Sequence, residues 1–117
     1  MSTVTIYHNP RCSKSRKTLA LLNEHNVQPD IELYLESPPS EAELKAILAK
    51  LGITPRALMR KGEDAYKENN LGDTELTDEE LIAAMIASPI LIERPIVVSG
   101  DAAKIGRPPE QVLEIVI

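Results

Sequence analysis

The fold is decided by nine residues near the start of the chain, His8-Asn9-Pro10-Arg11-Cys12-Ser13-Lys14-Ser15-Arg16. They follow a short β-branched run at 4–6 and precede an apolar-periodic segment that begins at Thr18. A strand that turns through Asn-Pro and enters a helix puts the turn at the helix N-terminus. There, free backbone N–H groups and the helix dipole favour an anion. The stretch therefore predicts a strand, an anion-binding turn and a helix, in that order.

Cys12 is the single cysteine of the chain, and it lies in this turn. Cations flank it at Arg11, Lys14, Arg16 and Lys17, and no acidic residue occurs between positions 9 and 23. A helix N-terminus and nearby cations each lower the pKa of a thiol, so we expect a thiolate at neutral pH. A lone cysteine is more often a small buried apolar residue. Its placement among cations at a helix start favours the reactive thiol here.

A zinc site at His8 and Cys12 would need further ligands. The chain offers no second cysteine and one other histidine, His25, so we expect no metal. A single cysteine also rules out an internal disulfide, which fits a reducing compartment. With no signal-peptide pattern and no long apolar run, the sequence predicts a cytoplasmic protein without a membrane span.

The composition bounds the class of protein. The chain has 117 residues, of which 43% are hydrophobic and 3% aromatic, and its net charge is −5. This length allows one domain with a real core, which must be aliphatic because Trp and Phe are absent. The acidic balance and the few aromatic residues argue against nucleic-acid binding. We expect a monomer.

Strand patterns at 3–7 and 31–35 flank a helical pattern at 13–25. This βαβ order makes the two strands parallel and their crossover right-handed. Residues 96–105 read as a β-hairpin with a Gly-containing turn, and a closing helix follows at 110–116.

Between these parts lies a helical segment. Capping-box patterns at Ser40 and Thr77 begin two helices, and Gly52 ends the first of them. Thr54-Pro55 begins a short helix that is predicted to end near 60–62, and one or two more turns are predicted within 64–70.

This order of elements is that of a thioredoxin-like fold, in which a reactive cysteine follows the first strand. The prediction is an α/β protein with a four-stranded mixed sheet and helices on both faces. We expect residues 1–117 to form a single domain with a helical insertion at about 40–88.

Three arginines are candidate anion ligands: Arg60, Arg94 and Arg107. Taken singly, each reads as an ordinary surface arginine or salt-bridge partner. In a thioredoxin-like sheet, however, the start of the third strand faces the cysteine loop, which brings Arg94 towards Cys12. The planar guanidinium group suits a tetrahedral oxyanion because it donates paired hydrogen bonds and keeps its charge. The same fold implies a cis bond before Pro95.

The sequence resembles the glutaredoxin-dependent arsenate reductases of bacteria, an ArsC-like family of the thioredoxin-like superfamily, including its short arsenate-reductase-like branch. Five segments carry the resemblance in order: IYHNPRCSKSR at 6–16, LYLESPPS at 33–40, RALMRK at 56–61, PILIERPIVV at 89–98 and RPPEQVL at 107–113. Together they cover nearly the whole chain.

The resemblance implies a reaction and a site. The reaction is the reduction of arsenate to arsenite, with glutathione as co-substrate, glutaredoxin as partner and no bound cofactor. The family's nucleophile falls on Cys12, and the histidine that tunes it falls on His8. The resemblance places the catalytic arginines at Arg60, Arg94 and Arg107, and the oxyanion-binding loop at Ser13, Lys14, Ser15 and Arg16.

Two differences from the family pattern leave the substrate open. The loop reads R-C-S-K where characterised members carry smaller, uncharged residues, and those members extend beyond the position of Ile117. A monothiol oxidoreductase for another substrate is therefore one alternative. The other is a non-enzymatic regulator that docks on RNA polymerase or another partner. Related redox-sensing regulators carry C-x-x-C, but here Ser15 replaces the second cysteine and precludes that disulfide.

Overall fold

The computed structural model describes residues 4–116, which form two compact units. The first unit comprises the chain up to Ser37 together with the chain from Arg94 onwards, and the second is Pro38–Glu93. The second unit has nearly the bounds predicted for the helical insertion, whereas the single domain stays a prediction. The first predicted strand begins at Val4, and its residue Thr3 lies outside the described residues.

The elements are, in chain order: β1 Val4–Tyr7, α1 Ser13–Glu24, β2 Asp30–Glu32, α2 Glu41–Leu51, α3 Pro55–Leu58, α4 Asp64–Glu68, α5 Asp78–Ala87, a 3-10 turn Pro89–Leu91, β3 Ile96–Ser99, β4 Ala102–Ile105, a 3-10 turn Pro109–Val112 and α6 Leu113–Val116. The predicted closing helix is thus a 3-10 turn that leads into a short α-helix.

The first unit is built on a four-stranded sheet of order β2-β1-β3-β4. Strand β1 is parallel to β2 and antiparallel to β3. Strand β4 is antiparallel to β3 and forms the hairpin with it. The mixed four-stranded sheet of the α/β prediction is therefore confirmed. Its core is aliphatic, as expected, and centres on the fully buried residues Ile6, Leu22, Val97 and Val112. Burying each such side chain stabilises the fold by about 1.5–3 kcal/mol.

Strand β2 is shorter than the alternating pattern at 31–35 predicts. It ends at Glu32, and the backbone N–H groups of Glu36 and Ser37 then donate to the carbonyl of Leu33 to form a turn. Tyr34 is buried, whereas Ile31, Leu33 and Leu35 are 50%, 37% and 38% exposed. Tyr34 lies in the turn that follows β2, so the alternation predicted for a strand does not extend to it.

The second unit is helical, and the helix starts predicted at Ser40 and Thr77 and the helix end predicted at Gly52 are confirmed. Both capping boxes form, at Ser40 before α2 and at Thr77 before α5. Gly52 ends α2 in the left-handed conformation, with φ at 70°. Helix α3 ends at Leu58, earlier than predicted, because Met59 is extended and forms a β-bridge with Ile92. Within residues 4–116, no helix is long and apolar enough to cross a membrane.

Candidate active site

The loop between β1 and α1 holds Cys12 at the start of the helix. The backbone N–H of Cys12 donates to the carbonyl of Asn9 over 3.0 Å, which closes a turn. The Asn9 side-chain oxygen accepts from the backbone N–H of Arg11 over 3.0 Å, and Arg16 Nη1 donates to the carbonyl of Pro10 over 3.0 Å. Cys12 has extended backbone angles at the N-cap position of α1 and is partly exposed. The sequence prediction of a helix-start cysteine is confirmed.

The pKa of the Cys12 thiol is lowered, although burial alone would raise it. Against burial act, in order, the backbone N–H of Ser15, a hydrogen bond from the Arg94 side chain, the backbone N–H of Lys14 and the positive charge of Arg94. From the sequence, we expect the low pKa of Cys12 to come from the neighbouring cationic side chains as well as from the helix start. The structure assigns it to the helix-start amides and to an arginine 82 positions away in the chain.

Arg107 lies beside the same sulfur. Its Nη2 donates to Cys12 Sγ over 3.8 Å, and its Nε donates to the carbonyl of Arg94 over 2.9 Å. The Arg94–Pro95 bond is cis, as the thioredoxin-like order of elements predicts, and the Arg107–Pro108 bond is also cis. The first unit therefore brings Cys12, Arg94 and Arg107 together.

Gly106, directly before Arg107, allows the backbone to pass close to Thr18 of α1 and to Pro95. This role was not predicted from the sequence. Its backbone N–H donates to the carbonyl of Pro95 over 2.9 Å. A Cβ atom at this position would lie 2.5 Å from Thr18 Oγ1 and 2.9 Å from Pro95 Cγ, so only glycine fits without a shift. The signal in the sequence is a glycine directly before a candidate arginine, but its spatial neighbours come from elsewhere in the chain.

His8 is buried and bonded to Ser15. The distance from His8 Nδ1 to Ser15 Oγ is 2.6 Å, and the backbone N–H of Asn9 donates to the same hydroxyl over 3.0 Å. Burial, assisted by the charge of Arg16, lowers the pKa of His8, so the imidazole is mostly neutral at pH 7. Its contact with the cysteine loop runs through Ser15, whose backbone N–H lowers the pKa of the thiol.

The remaining predicted loop residues divide by burial. Ser13, Lys14 and Arg16 are exposed, while Ser15 is fully buried and its hydroxyl is engaged by His8 and Asn9. Oxyanion binding by these four residues stays a prediction. The structure gives the amides of Lys14 and Ser15 a definite role at the sulfur.

Arg60 belongs to the second unit. Its Nη1 lies 2.9 Å from Glu93 Oε1, and its Nε lies 3.4 Å from Glu63 Oε2. The backbone fixes this pairing, because Arg60 N–H donates to the Leu91 carbonyl and Glu93 N–H donates to the Leu58 carbonyl. The predicted role of Arg60 in catalysis stays a prediction. Across residues 4–116, His, Cys, Asp and Glu side chains form no group of three or more that could hold a metal ion.

Comparison with known proteins identifies the family of this chain. The ArsC family pattern matches residues 7–115. An arsenate reductase from Haemophilus influenzae is 55% identical over 114 residues, which is 97% of this chain and 98% of that protein. A protein of Escherichia coli K12 called YfgD, described as uncharacterized, is 60% identical over 97% of this chain and 96% of its own length. The solved structure of an arsenate reductase from Vibrio cholerae has a TM-score of 0.95 and 56% identity, covering 97% of this chain and 98% of that one.

Proposed function

The chain belongs to the ArsC family, and from that premise we propose that it reduces arsenate to arsenite with Cys12 as the nucleophile. One observation carries the proposal: a thiol of lowered pKa at the start of α1 has two arginine side chains against its sulfur. A thiolate is the nucleophilic form of cysteine, and fixed guanidinium groups stabilise an oxyanion as charge develops on it. We propose arsenate as the substrate because relatives of this chain are named arsenate reductase.

In the first step the Cys12 thiolate attacks arsenic, a sulfur–arsenic bond forms, and one arsenate oxygen leaves as water after protonation. Arg94 and Arg107 offset the negative charge on the remaining oxygens. The resemblance adds Arg60 as a third arginine, and the loop residues Ser13, Lys14, Ser15 and Arg16 as further oxyanion ligands. His8 holds Ser15, and Ser15 presents its amide to the sulfur.

The reducing electrons come from outside, because the chain has one cysteine. Glutathione attacks arsenic and displaces a second water, so that arsenic carries both sulfurs. A glutaredoxin thiolate then attacks the glutathione sulfur and forms a disulfide with it. The electron pair of the broken sulfur–arsenic bond stays on arsenic, which passes from the +5 to the +3 state. Water releases arsenite and returns Cys12. We place this reaction in the cytoplasm, where a lone thiol stays reduced.

Coupled turnover tests the proposal, with arsenate, glutathione, glutaredoxin and glutathione reductase. We expect the parent protein to be active and Cys12→Ser to lose at least about a thousandfold in rate, as for removal of a covalent nucleophile. A parent protein without arsenate turnover would contradict the assignment. Rapid alkylation of Cys12 in that same protein would then point to a thiol oxidoreductase for another substrate.

A further inference from the structure

An open cleft lies next to the Cys12 loop, at the carboxyl ends of the parallel strands β1 and β2. Its volume is about 300 Å³. In α/β sheets, crevices at the carboxyl ends of strands are the usual places for ligands. The cleft is lined by His8, Asn9, Pro10, Arg11, Leu33, Leu35 and Glu36, and we call it the β2 cleft.

One wall of the β2 cleft is the segment 8–11, which leads directly into Cys12. Adjacent Cα atoms are about 3.8 Å apart, so the wall ends one residue from the nucleophile. Because Arg11 lines the cleft and directly precedes Cys12, a molecule seated here contacts the loop that carries the sulfur. The position suits the second reactant of a thiol reaction.

We propose that the β2 cleft is the binding site for glutathione, a proposal that rests on the proposed function. The volume is at the small end of the range for small-molecule sites, which fits a tripeptide. The opposite wall carries Leu33 and Leu35, which are 37% and 38% exposed. These side chains can pack against the methylene groups of the γ-glutamyl and cysteinyl residues.

The charges that face the β2 cleft match the ends of glutathione. Arg11 supplies a cation and Glu36 an anion, and both are exposed. His8 adds little charge at pH 7, because burial and the charge of Arg16 lower its pKa. Glutathione carries a carboxylate at its glycyl end and both an ammonium and a carboxylate at its γ-glutamyl end. Arg11 can pair with a carboxylate and Glu36 with the ammonium.

A second cleft in the same unit serves as an internal comparison. It runs along α1, has a volume of about 450 Å³ and includes Lys17 and Glu24 in its lining. It therefore also offers a cation and an anion, but its walls are helix α1 and the 3-10 turn that follows β4. Neutralising Lys17 and Glu24 is the matched control for neutralising Arg11 and Glu36.

Binding is tested first, without any reaction, by titrating S-methylglutathione into the ¹⁵N-labelled protein and following amide shifts. This probe has both charged ends but no free thiol. We expect the shifts to concentrate at positions 8–11 and 33–36 and to weaken in Arg11→Gln/Glu36→Gln. Shifts confined to the second cleft along α1, or no shifts at about 10 mM probe, would overturn the proposal, because sites for such small ligands bind in the micromolar to millimolar range.

Turnover provides the second readout. In Arg11→Gln/Glu36→Gln we expect the ratio of the glutathione KM to the arsenate KM to rise about fivefold, as for two exposed ion pairs. In Lys17→Gln/Glu24→Gln the ratio should stay at the parent value. An equal rise in both double variants, or a rise in the glutaredoxin KM instead, would overturn the assignment. A parent protein that binds the probe at the β2 cleft but does not reduce arsenate would keep the cleft and remove the proposed function.

Discussion

Both units bury apolar side chains, but they differ in the polar side chains that they bury. Among the described residues, the buried His, Asn, Ser and Thr side chains all lie between positions 8 and 18 of the first unit, which also buries Tyr34; they are His8, Asn9, Ser15 and Thr18. The buried positions of the second unit are aliphatic residues, methionines and two prolines. Burying a polar group costs free energy unless the group is hydrogen-bonded, and each of these four has a partner.

This difference suggests that the loop residues and the helical core contribute to different properties of the protein. Hydrogen bonds among His8, Asn9 and Ser15 fix the loop around Cys12, whereas the helical unit has an apolar core of the ordinary kind. A substitution in the loop should therefore act mainly on reactivity. A substitution in the helical core should act mainly on the free energy of unfolding.

The largest expected effect is on the helical core. Met85 of α5 is fully buried, so Met85→Ala leaves a cavity and should lower the free energy of unfolding by about 2–5 kcal/mol. Urea denaturation followed by circular dichroism measures it. Met85→Leu keeps the volume and should cost less than about 1.5 kcal/mol. A loss in Met85→Ala no greater than that of Met85→Leu would mean that this core is loosely packed, and the contrast between the units would fail.

The second-largest effect is expected on catalytic efficiency when Arg107 is replaced. Its side chain donates hydrogen bonds to the carbonyl of Arg94 and to the Cys12 sulfur. Removing a charge-assisted contact costs about 1.5–3 kcal/mol, so Arg107→Ala should lose one to two decades in kcat/KM. Arg107→Lys should recover only part of this, because one ammonium cannot replace the guanidinium fork. Lys104→Ala on β4 is the control cation and should keep parental turnover. Full activity in Arg107→Lys would show that charge alone suffices.

Much of the fold follows from signals that are local in the sequence. The capping boxes at Ser40 and Thr77, the stop at Gly52 and the hairpin at 96–105 each depend on a few adjacent residues, and each forms. The strand pattern at 31–35 gave the wrong extent, because β2 ends at Glu32 and the chain then turns. The buried Tyr34 lies in that turn.

Less of the candidate active site could be predicted from the sequence. Local spacing located Cys12 at a helix start, but it could not show that Arg94 lowers the pKa of the thiol more directly than Arg11 or Arg16. Nor could it show that Gly106 must lack a side chain to pass Thr18. These contacts join segments that are far apart in the chain, so they depend on the completed fold.

The pH dependence of Cys12 tests the first unit directly. The thiolate is the reactive form, and the lowered pKa predicts that the rate of alkylation by iodoacetamide rises at a lower pH than for free cysteine. Arg94→Ala removes a hydrogen bond and a charge that stabilise the thiolate, so the midpoint should move to higher pH. Stability that comes from the thiolate is present above the pKa of the unfolded chain and is lost as the pH falls through the folded pKa. A midpoint equal to that of free cysteine in the parent protein would contradict the stabilisation of the thiolate by Arg94 and the helix-start amides.

The smallest effect is expected at the N-cap of α5. The Thr77 hydroxyl accepts from the backbone N–H of Glu80 over 3.1 Å, and Glu80 Oε1 accepts from the backbone N–H of Thr77 over 3.0 Å. Thr77→Ala removes the first bond and should lower the free energy of unfolding by about 1 kcal/mol, while Thr77→Ser should retain most of it. Thermal and urea unfolding measure the loss, and the alkylation rate of Cys12 reports on the first unit in the same samples. Because the capping box lies in the helical unit and is exposed, the alkylation rate should match that of the parent protein. If Thr77→Ala changes the alkylation rate of Cys12 in the folded protein, the reactivity of Cys12 depends on the helical unit. The division between the units would then fail.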